Sequence, residues 1–190
     1  VGRNTSIDMP AGPSEVMVMA DGSADAEFVA ADMLSQAEHG RDSQAIVVCD
    51  SVAFAQQVAA AVERQMAELS RADYVAESLK NSRAVVFDSR EQMIAFANEY
   101  AAEHLIISME DAWDVAAEIT AAGSIFIGNY SPESAGDYAS GTNHTLPTSG
   151  WAHSCSGVNI DSFMRKMTIQ ELSRDGIESL AQAIVAMADA

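Results

Sequence analysis

Gln36 and His39 have side chains that could hold a metal ion, and their spacing would bring them together. They stand three residues apart just before Gly40, so on a helix they share one face while Glu38 points away from them. A carboxamide and an imidazole are neutral ligands that one metal ion can share. The same spacing also fits a histidine with a structural role at a helix C-terminus, where the helix dipole favours its cation. The spacing alone is compatible with both interpretations.

Glu103 and His104 are a second candidate, a carboxylate and an imidazole next to each other before the apolar residues 105–107. Such neighbours can divide the roles of base and acid when their surroundings separate their pKa values. The pair would equally fit a solvated junction between a helix and a strand. Because ligands of parallel sheets collect at the carboxyl ends of strands, a pair before its strand implies one of two arrangements. Either this strand is antiparallel, or the pair lies at the opposite edge of the sheet.

The stretch 128–157 lacks helix or strand periodicity and contains prolines, glycines and many hydroxyl and carboxamide side chains. A connection of this length is usually functional or disordered. Tyr130, Tyr138 and Trp151 favour order, because aromatic residues are depleted in disordered segments and can anchor a loop. We interpret the stretch as an ordered loop that leaves the carboxyl edge of the sheet, where chemistry is expected. Its candidate functional side chains are Glu133, Asp137, His144 and His153.

Asp137 could complete a metal site with Gln36 and His39. Its carboxylate would add a hard oxygen ligand, and the three residues together form a mixed nitrogen and oxygen set that zinc accepts. The alternative is that Asp137 caps a turn after Gly136. Ser14 lies in a segment with two prolines and a glycine, which fits either a rigid turn or a substrate contact through its hydroxyl.

The composition narrows the possible functions. The chain has 190 residues with 10 Lys and Arg against 28 Asp and Glu, a formal net charge of −18. A field of this sign repels phosphate backbones and anionic lipids, so we expect no nucleic-acid partner and no membrane partner. No apolar run approaches the roughly 20 residues of a membrane helix and no signal pattern occurs, so we expect a soluble cytoplasmic protein. Neither GxGxxG nor GxxxxGK[ST] occurs, so a phosphate-binding fingerprint is missing.

Alternating apolar runs and helical patterns predict an α/β fold that would position these residues. Short apolar runs predict five strands at residues 16–19, 45–49, 84–87, 105–107 and 124–127. Helical patterns lie between them at 24–39, 52–69, 91–101 and 111–121, the first with Ser23 as its N-cap. We expect a Rossmann-like, mostly parallel sheet flanked by helices.

Two regions are predicted along the chain. Residues 1–158 form the α/β domain with the candidate zinc and substrate site, and residues 159–190 form a C-terminal helical extension. The last helical pattern runs from Thr168 to Ala190 without a stop signal, with Gly176 as a possible break. Since Val1 also begins no capped element, we expect the chain to be a piece of a longer polypeptide.

Four long motifs occur along the chain: AGPSEV from Ala11, MLSQAEHGRDSQ from Met33, AAEHLII from Ala101 and SPESAGDYASGTNHTLPT from Ser131. Together they span essentially the whole chain and resemble the histidinol dehydrogenase family. The match is specific because the motifs are long, separately placed and in the right order. It implies that the chain is about the second half of the family's polypeptide, after a part that carries most contacts to the nicotinamide cofactor.

The resemblance implies a zinc- and NAD-dependent enzyme of histidine biosynthesis. Family members oxidise L-histidinol to L-histidine by two hydride transfers to NAD through an aldehyde, with one zinc ion per subunit. Gln36, His39 and Asp137 match zinc ligands that also lie at the substrate. Ser14 matches a substrate-contacting serine, and His144 lies in a motif near the substrate. No NAD-binding residue is assigned within this chain.

The same resemblance implies separate roles for Glu103 and His104. Glu103 would activate the water that adds to the aldehyde, and His104, also at the substrate, would take the hydroxyl proton. Family members are intertwined homodimers whose partner subunit supplies a fourth zinc ligand, a histidine, and a substrate-binding glutamate. Both would lie beyond Ala190, so we expect the 190-residue chain alone to be inactive.

Two alternatives stand beside this interpretation. The chain could belong to a related zinc- and NAD-dependent dehydrogenase that acts on another amino or sulfonated alcohol. It could also be a non-catalytic folding or dimerisation module.

Overall fold

The computed structural model describes residues 9, 10 and 12–189. Three positions named in the predictions lie outside the described residues. They are Ala11, which begins the first motif, and the ends of the predicted regions at Val1 and Ala190. The described part of the chain falls into two compact units, one up to Asn159 and one from Ile160 onward.

Five parallel strands form the centre of the first unit. They are β1 (Glu15–Ala20), β2 (Gln44–Cys49), β3 (Arg83–Val86), β4 (His104–Ser108) and β5 (Ser124–Ile127), and their order in the sheet is β3-β2-β1-β4-β5. Val16 of β1 pairs with Ala45 on one side and with His104 on the other. The predicted α/β fold with a parallel sheet is confirmed, and each strand lies within one residue of its predicted bounds.

Helices cover both faces of this sheet. They are α1 (Ala26–Ala37), α2 (Val52–Met66), α3 (Ala72–Ser78), α4 (Arg90–Tyr100), α5 (Ala112–Ala117) and α6 (Glu133–Tyr138). Alternate residues of β1 point to opposite faces, so Val16 and Val18 pack with α1 and α2 while Met17 and Met19 pack with α4 and α5. Because both faces of β1 are buried, its sequence is continuously apolar after Glu15.

The direction of the connecting helices determines where their last residues lie. A helix that joins two parallel strands must run back across the sheet, because the next strand begins at the same edge as the previous one. The C-terminal end of α1 therefore returns to the amino edge, where β2 begins. Gln36 and His39 are carried to that edge.

The structure corrects several local predictions. Ser23 does not cap α1, because the N-cap is Asp25, whose Oδ1 accepts a hydrogen bond from Glu27 N at 2.9 Å. Ser23 instead donates to Asp21. Helix α3 lies where no element is predicted, and the stretch 128–157 contains α6, whose six residues are too few to show helical periodicity.

The second unit contains a short 3₁₀ helix at Ile160–Phe163 and helix α7 at Arg174–Ala188. Ser173 caps α7 by accepting a hydrogen bond from Gly176 N at 3.1 Å, so the helix begins later than the predicted Thr168. Gly176 lies in its first turn and does not break it. Exposed apolar side chains on α7 are Ile177, Leu180, Ile184, Val185 and Met187. None of the helices between Met9 and Asp189 has the length and apolar character needed to cross a membrane.

Candidate metal and active site

The candidate residues gather at the amino edge of the sheet. Glu15 and His104 are the first residues of β1 and β4, while Gln36 and His39 lie at the C-terminal end of α1. Asp137 reaches the same place, with Oδ1 3.9 Å from His104 Nε2. The expectation that the loop after β5 places its chemistry at the carboxyl edge is therefore wrong. The chain leaves β5 at that edge but has returned to the start of β4 by Asp137.

Glu103 and His104 are buried, with 6% and 3% of their surface exposed, which excludes a solvated junction. Since β4 is parallel to both neighbouring strands, the pair takes the second arrangement that its sequence position allows, at the amino edge. Gly123 permits the close approach of β5, because a β-carbon there would come within 2.4 Å of Glu103 O. Ser124 N donates to that same oxygen at 2.9 Å.

The backbone of Glu15 holds both members of this pair. Glu15 N donates to Glu103 Oε2 at 2.8 Å, and Glu15 O lies 3.0 Å from His104 Nδ1. Because a carbonyl oxygen can only accept, Nδ1 carries the proton and Nε2 presents its lone pair. Nε2 is buried and has no hydrogen-bond partner among the described residues. It is therefore placed to take a proton from a bound molecule.

The surroundings of His104 make it a stronger base. Burial lowers its pKa, but the carboxylate of Glu103, 3.6 Å from Nδ1, raises it, as do the Glu15 carbonyl and the charge on Glu133. The net result is a pKa above the ordinary value of 6.5. Phe126 packs beside the imidazole, with ring centroids 5.9 Å apart.

His39, Glu133 and Asp137 come close enough to share one metal ion. Each offers a ligand atom, and these atoms all lie within 4.8 Å of one another. Gln36 adjoins the group, with Nε2 3.3 Å from His39 Nδ1. The structure thus brings together the three residues that the sequence pattern proposes, Gln36, His39 and Asp137, and adds Glu133 to them.

Two buried oxygen atoms show that this group fits a cation. Gln36 Oε1 and Glu133 Oε1 have no hydrogen-bond donor among the described residues, and both side chains are 0% exposed. Unsatisfied polar atoms of this kind are costly in a protein interior. A divalent cation would satisfy both, and an imidazole with carboxylate and carboxamide oxygens is a ligand set that zinc accepts. The residues present therefore fit a zinc ion.

Glu133 is the member of this group that the sequence did not single out as a metal ligand. The sequence marks it only as one of four polar side chains in a long loop, and its position one helical turn before Asp137 is the sole signal. In the structure its Oε1 lies 4.0 Å from His104 Nε2. Burial and the neighbouring Asp137 carboxyl raise its pKa to about 7.

The remaining candidates lie further from this group. Ser14 is half-buried at the amino edge, directly before Glu15, and its carbonyl accepts a hydrogen bond from Gln44 N. His144 is exposed on the loop after α6. His153 lies 3.1 Å from Glu99 O through Nε2 and belongs to a surface contact. The structure does not bring His144 or His153 into the group around Asp137.

The strand order reverses between β1 and β4, and parallel sheets often bind nucleotides at the carboxyl ends of such a pair. At that end Asp21 follows β1 and accepts hydrogen bonds from Ser23 N at 2.9 Å and Glu110 N at 3.0 Å. Burial raises the pKa of Asp21, but hydrogen bonds from the Ser23 hydroxyl and from the Glu110 and Ser23 backbone outweigh it and the net pKa is lowered. An ionised carboxylate that accepts hydrogen bonds from loop N–H groups competes with a pyrophosphate for those donors, and its charge repels the pyrophosphate.

The described part of the chain thus forms a parallel α/β fold in which a buried histidine lies next to side chains that could bind a cation. The comparisons with known proteins identify the family of this α/β protein. The family model described as histidinol dehydrogenase matches residues 1–190, so the chain belongs to the histidinol dehydrogenase family.

Individual relatives agree with this assignment. The chain is 53% identical over 188 residues to histidinol dehydrogenase of Aliivibrio fischeri and 54% identical over 186 residues to that of Bacteroides fragilis. A crystal structure of histidinol dehydrogenase from Elizabethkingia anophelis matches 97% of this chain with 53% identity and a TM-score of 0.94. The chain spans only 43%, 44% and 42% of the lengths of these three proteins. The resemblance of the four motifs to this family is confirmed, and so is the expectation that the chain corresponds to part of a longer relative.

Proposed function

We propose that this chain forms the zinc- and substrate-binding part of an enzyme that oxidises L-histidinol to L-histidine with NAD. The approach of His39, Glu133 and Asp137 to one another next to His104 supports it most directly, in a chain of the histidinol dehydrogenase family. The reaction consumes two NAD⁺ and one water and yields two NADH, the carboxylate and three protons. The cofactor accepts the hydrides, and the protein binds, orients and exchanges protons.

Gln36, His39 and Asp137 would hold the zinc ion through a carboxamide oxygen, an imidazole nitrogen and a carboxylate oxygen. When bound, zinc would coordinate the imidazole and the amine of the substrate and so orient its alcohol carbon. Zinc sites usually have four ligands. Because this chain would supply three zinc ligands, we propose that a histidine of the partner subunit in a homodimer supplies the fourth.

His104 would act as the base in the first oxidation. Its Nδ1–H is held by the Glu15 carbonyl, so Nε2 points its lone pair into the site. His104 Nε2 would take the proton of the substrate hydroxyl, which would let the alcohol carbon lose a hydride to NAD⁺ and become an aldehyde. The charge on Glu133 and Asp137, 4.0 Å and 3.9 Å from Nε2, stabilises the imidazolium that forms.

Glu103 would act in the second oxidation by taking a proton from the water that adds to the aldehyde carbon. The hydrogen bond from Glu15 N orients its carboxylate. Loss of a hydride from the hydrated aldehyde to a second NAD⁺, with loss of its remaining protons, would yield the carboxylate of histidine. We propose Ser14 and His144 as further substrate contacts, Ser14 because it adjoins Glu15 at the amino edge.

Substrate comparison with the full-length protein tests this proposal. NADH formation is measured with L-histidinol, with another amino alcohol and with a sulfonated alcohol, together with zinc content. We expect turnover with L-histidinol and about one zinc ion per chain. Turnover of the sulfonated alcohol alone would refute the substrate, and turnover without bound zinc would refute the role of the metal.

Paired variants connect the activity to the site. Asp137→Asn should lose zinc and NADH formation together, because the carboxylate is a proposed ligand. Asp114→Asn makes the same change on exposed surface of α5 and should leave both unchanged. Equal zinc contents in the two variants would contradict the proposed ligand set.

A further inference from the structure

Helix α6 carries a proposed zinc ligand but is too short to hold itself in place. It has six residues, and no side chain caps its N-terminus at Pro132. Helices much shorter than about 12 residues are marginal in water and depend on packing against the rest of the protein. The position of Asp137 is therefore decided by what α6 docks against.

Two side chains of α1 contact the first residue of α6. Ser35 Oγ donates a hydrogen bond to Glu133 Oε2 at 3.1 Å. The Asp32 carboxylate lies beside the backbone of Glu133, whose N–H favours the ionised carboxylate and so lowers its pKa. One residue of α6 is thus held both by its side chain and by its backbone.

These two α1 residues share a face with the proposed ligand Gln36, because the three are spaced at positions i, i+3 and i+4. His39 follows two residues after α1 ends at Ala37, and its Nδ1 lies 3.3 Å from Gln36 Nε2. The face of α1 that presents Gln36 therefore also docks the helix that presents Asp137. A change in the docking of α6 moves Asp137 relative to His39.

Gly136 lets the other side of α6 approach the sheet. A β-carbon at this position would lie 2.6 Å from Cε1 of the buried Phe126 on β5. Helix α6 is thus fixed between α1 and β5, and the α1 side is the one that uses polar contacts.

We infer that Asp32 and Ser35 are positioning residues that hold α6 through Glu133, so that Asp137 stands next to His39 ready to bind zinc. This inference rests on the proposed zinc site and adds the residues that preorganise it. Groups that orient metal ligands typically change metal affinity about 10- to 100-fold when they are removed. We expect the effect to appear in zinc affinity, although neither Asp32 nor Ser35 is itself a proposed ligand.

The test measures zinc affinity of the full-length protein by competition with a coloured chelator. Ser35→Ala and Asp32→Ala should each weaken zinc binding about 10- to 100-fold. Ser35→Thr keeps the hydroxyl donor and should restore the affinity. Asp32→Asn keeps an oxygen acceptor for the Glu133 N–H and should also retain it. The matched control is Ser89→Ala, which removes the hydroxyl that caps α4 at Gln92 N, away from the site.

A second measurement separates positioning from a loss of folding. Cobalt(II) in place of zinc gives a visible spectrum that reports the ligand arrangement, and urea unfolding of the metal-free variants reports stability. We expect an altered cobalt spectrum for Ser35→Ala and an unaltered one for Ser89→Ala, even where their unfolding free energies are similar.

The outcomes distinguish this inference from the proposed function. If Asp137→Asn loses zinc while Ser35→Ala and Asp32→Ala bind it as the natural protein does, the zinc site stands and the positioning role is refuted. If Ser35→Thr is as weak as Ser35→Ala, the hydrogen bond to Glu133 is refuted as the cause. If the natural protein binds no zinc, the proposed function fails and this inference fails with it.

Discussion

Replacing Asp32 by asparagine should stabilise the protein at neutral pH and leave its stability almost unchanged in acid. Burial raises the pKa of Asp32 from the ordinary 3.8 to about 6, although the hydrogen bond from the Glu133 backbone opposes this rise. The folded protein therefore binds the Asp32 proton more tightly than the unfolded chain does. Stability falls as the pH rises between these two pKa values, because the unfolded chain ionises first.

The size of the effect follows from the two pKa values. A rise from 3.8 to about 6 corresponds to a cost of about 3 kcal/mol for the ionised carboxylate, at about 1.4 kcal/mol per pKa unit. Asparagine carries no charge and keeps an oxygen that accepts the Glu133 N–H. We expect Asp32→Asn to raise the unfolding free energy by up to about 3 kcal/mol at pH 7.5 and by only about 0.5 kcal/mol at pH 4.

Urea unfolding of the metal-free protein at several pH values between 4 and 7.5 measures this difference. Asp21→Asn is a control of opposite sign, because the pKa of Asp21 is lowered in the folded state. Its carboxylate stabilises the protein at pH values above the ordinary pKa of 3.8, so the variant should be less stable by nearly the same amount at every pH from 5 to 7.5. A gain for Asp32→Asn that is the same at pH 4 and pH 7.5 would refute the burial of a charge as its cause.

Three further outcomes are expected. His104→Asn in the full-length protein should lower kcat by roughly 10²- to 10⁴-fold, since it removes the proposed base. Zinc content and folding should be retained. A loss of fold would instead indicate a structural role. Gly136→Ala should lower the unfolding free energy by about 1–3 kcal/mol, because its β-carbon overlaps Phe126, whereas Gly22→Ala, with no atom within 4 Å, is the neutral comparison. The 190-residue chain alone should form no NADH from L-histidinol, because the relatives it matches are more than twice as long and it supplies only three of the proposed zinc ligands. Histidinol-dependent NADH formation by that chain at micromolar concentration would contradict this expectation.

The α/β class and the five strands follow from local sequence, because buried parallel strands are short, continuously apolar runs. The run 124–127 has the same bounds in the structure as in the prediction. Helix boundaries are less accurate where a capping side chain decides them. Asp25 rather than Ser23 caps α1, since which of the two accepts from a helical N–H depends on backbone angles that the sequence alone does not reveal.

The sequence by itself identified the family and the side chains with suitable chemistry, because residue types and motif order need no knowledge of the fold. It also paired Gln36 with His39, since residues three apart on a helix lie on one face, and the two remain in contact although α1 ends at Ala37. Only the tertiary structure decided that the site lies at the amino edge, because the edge depends on how crossover helices return across the sheet. The same holds for Glu133, which joins His104 and Asp137 only through the docking of a six-residue helix that has no periodic signal of its own. Its burial and raised pKa come from contacts between residues far apart in the chain, such as Ser35 and Glu133, and such contacts exist only once the chain has folded.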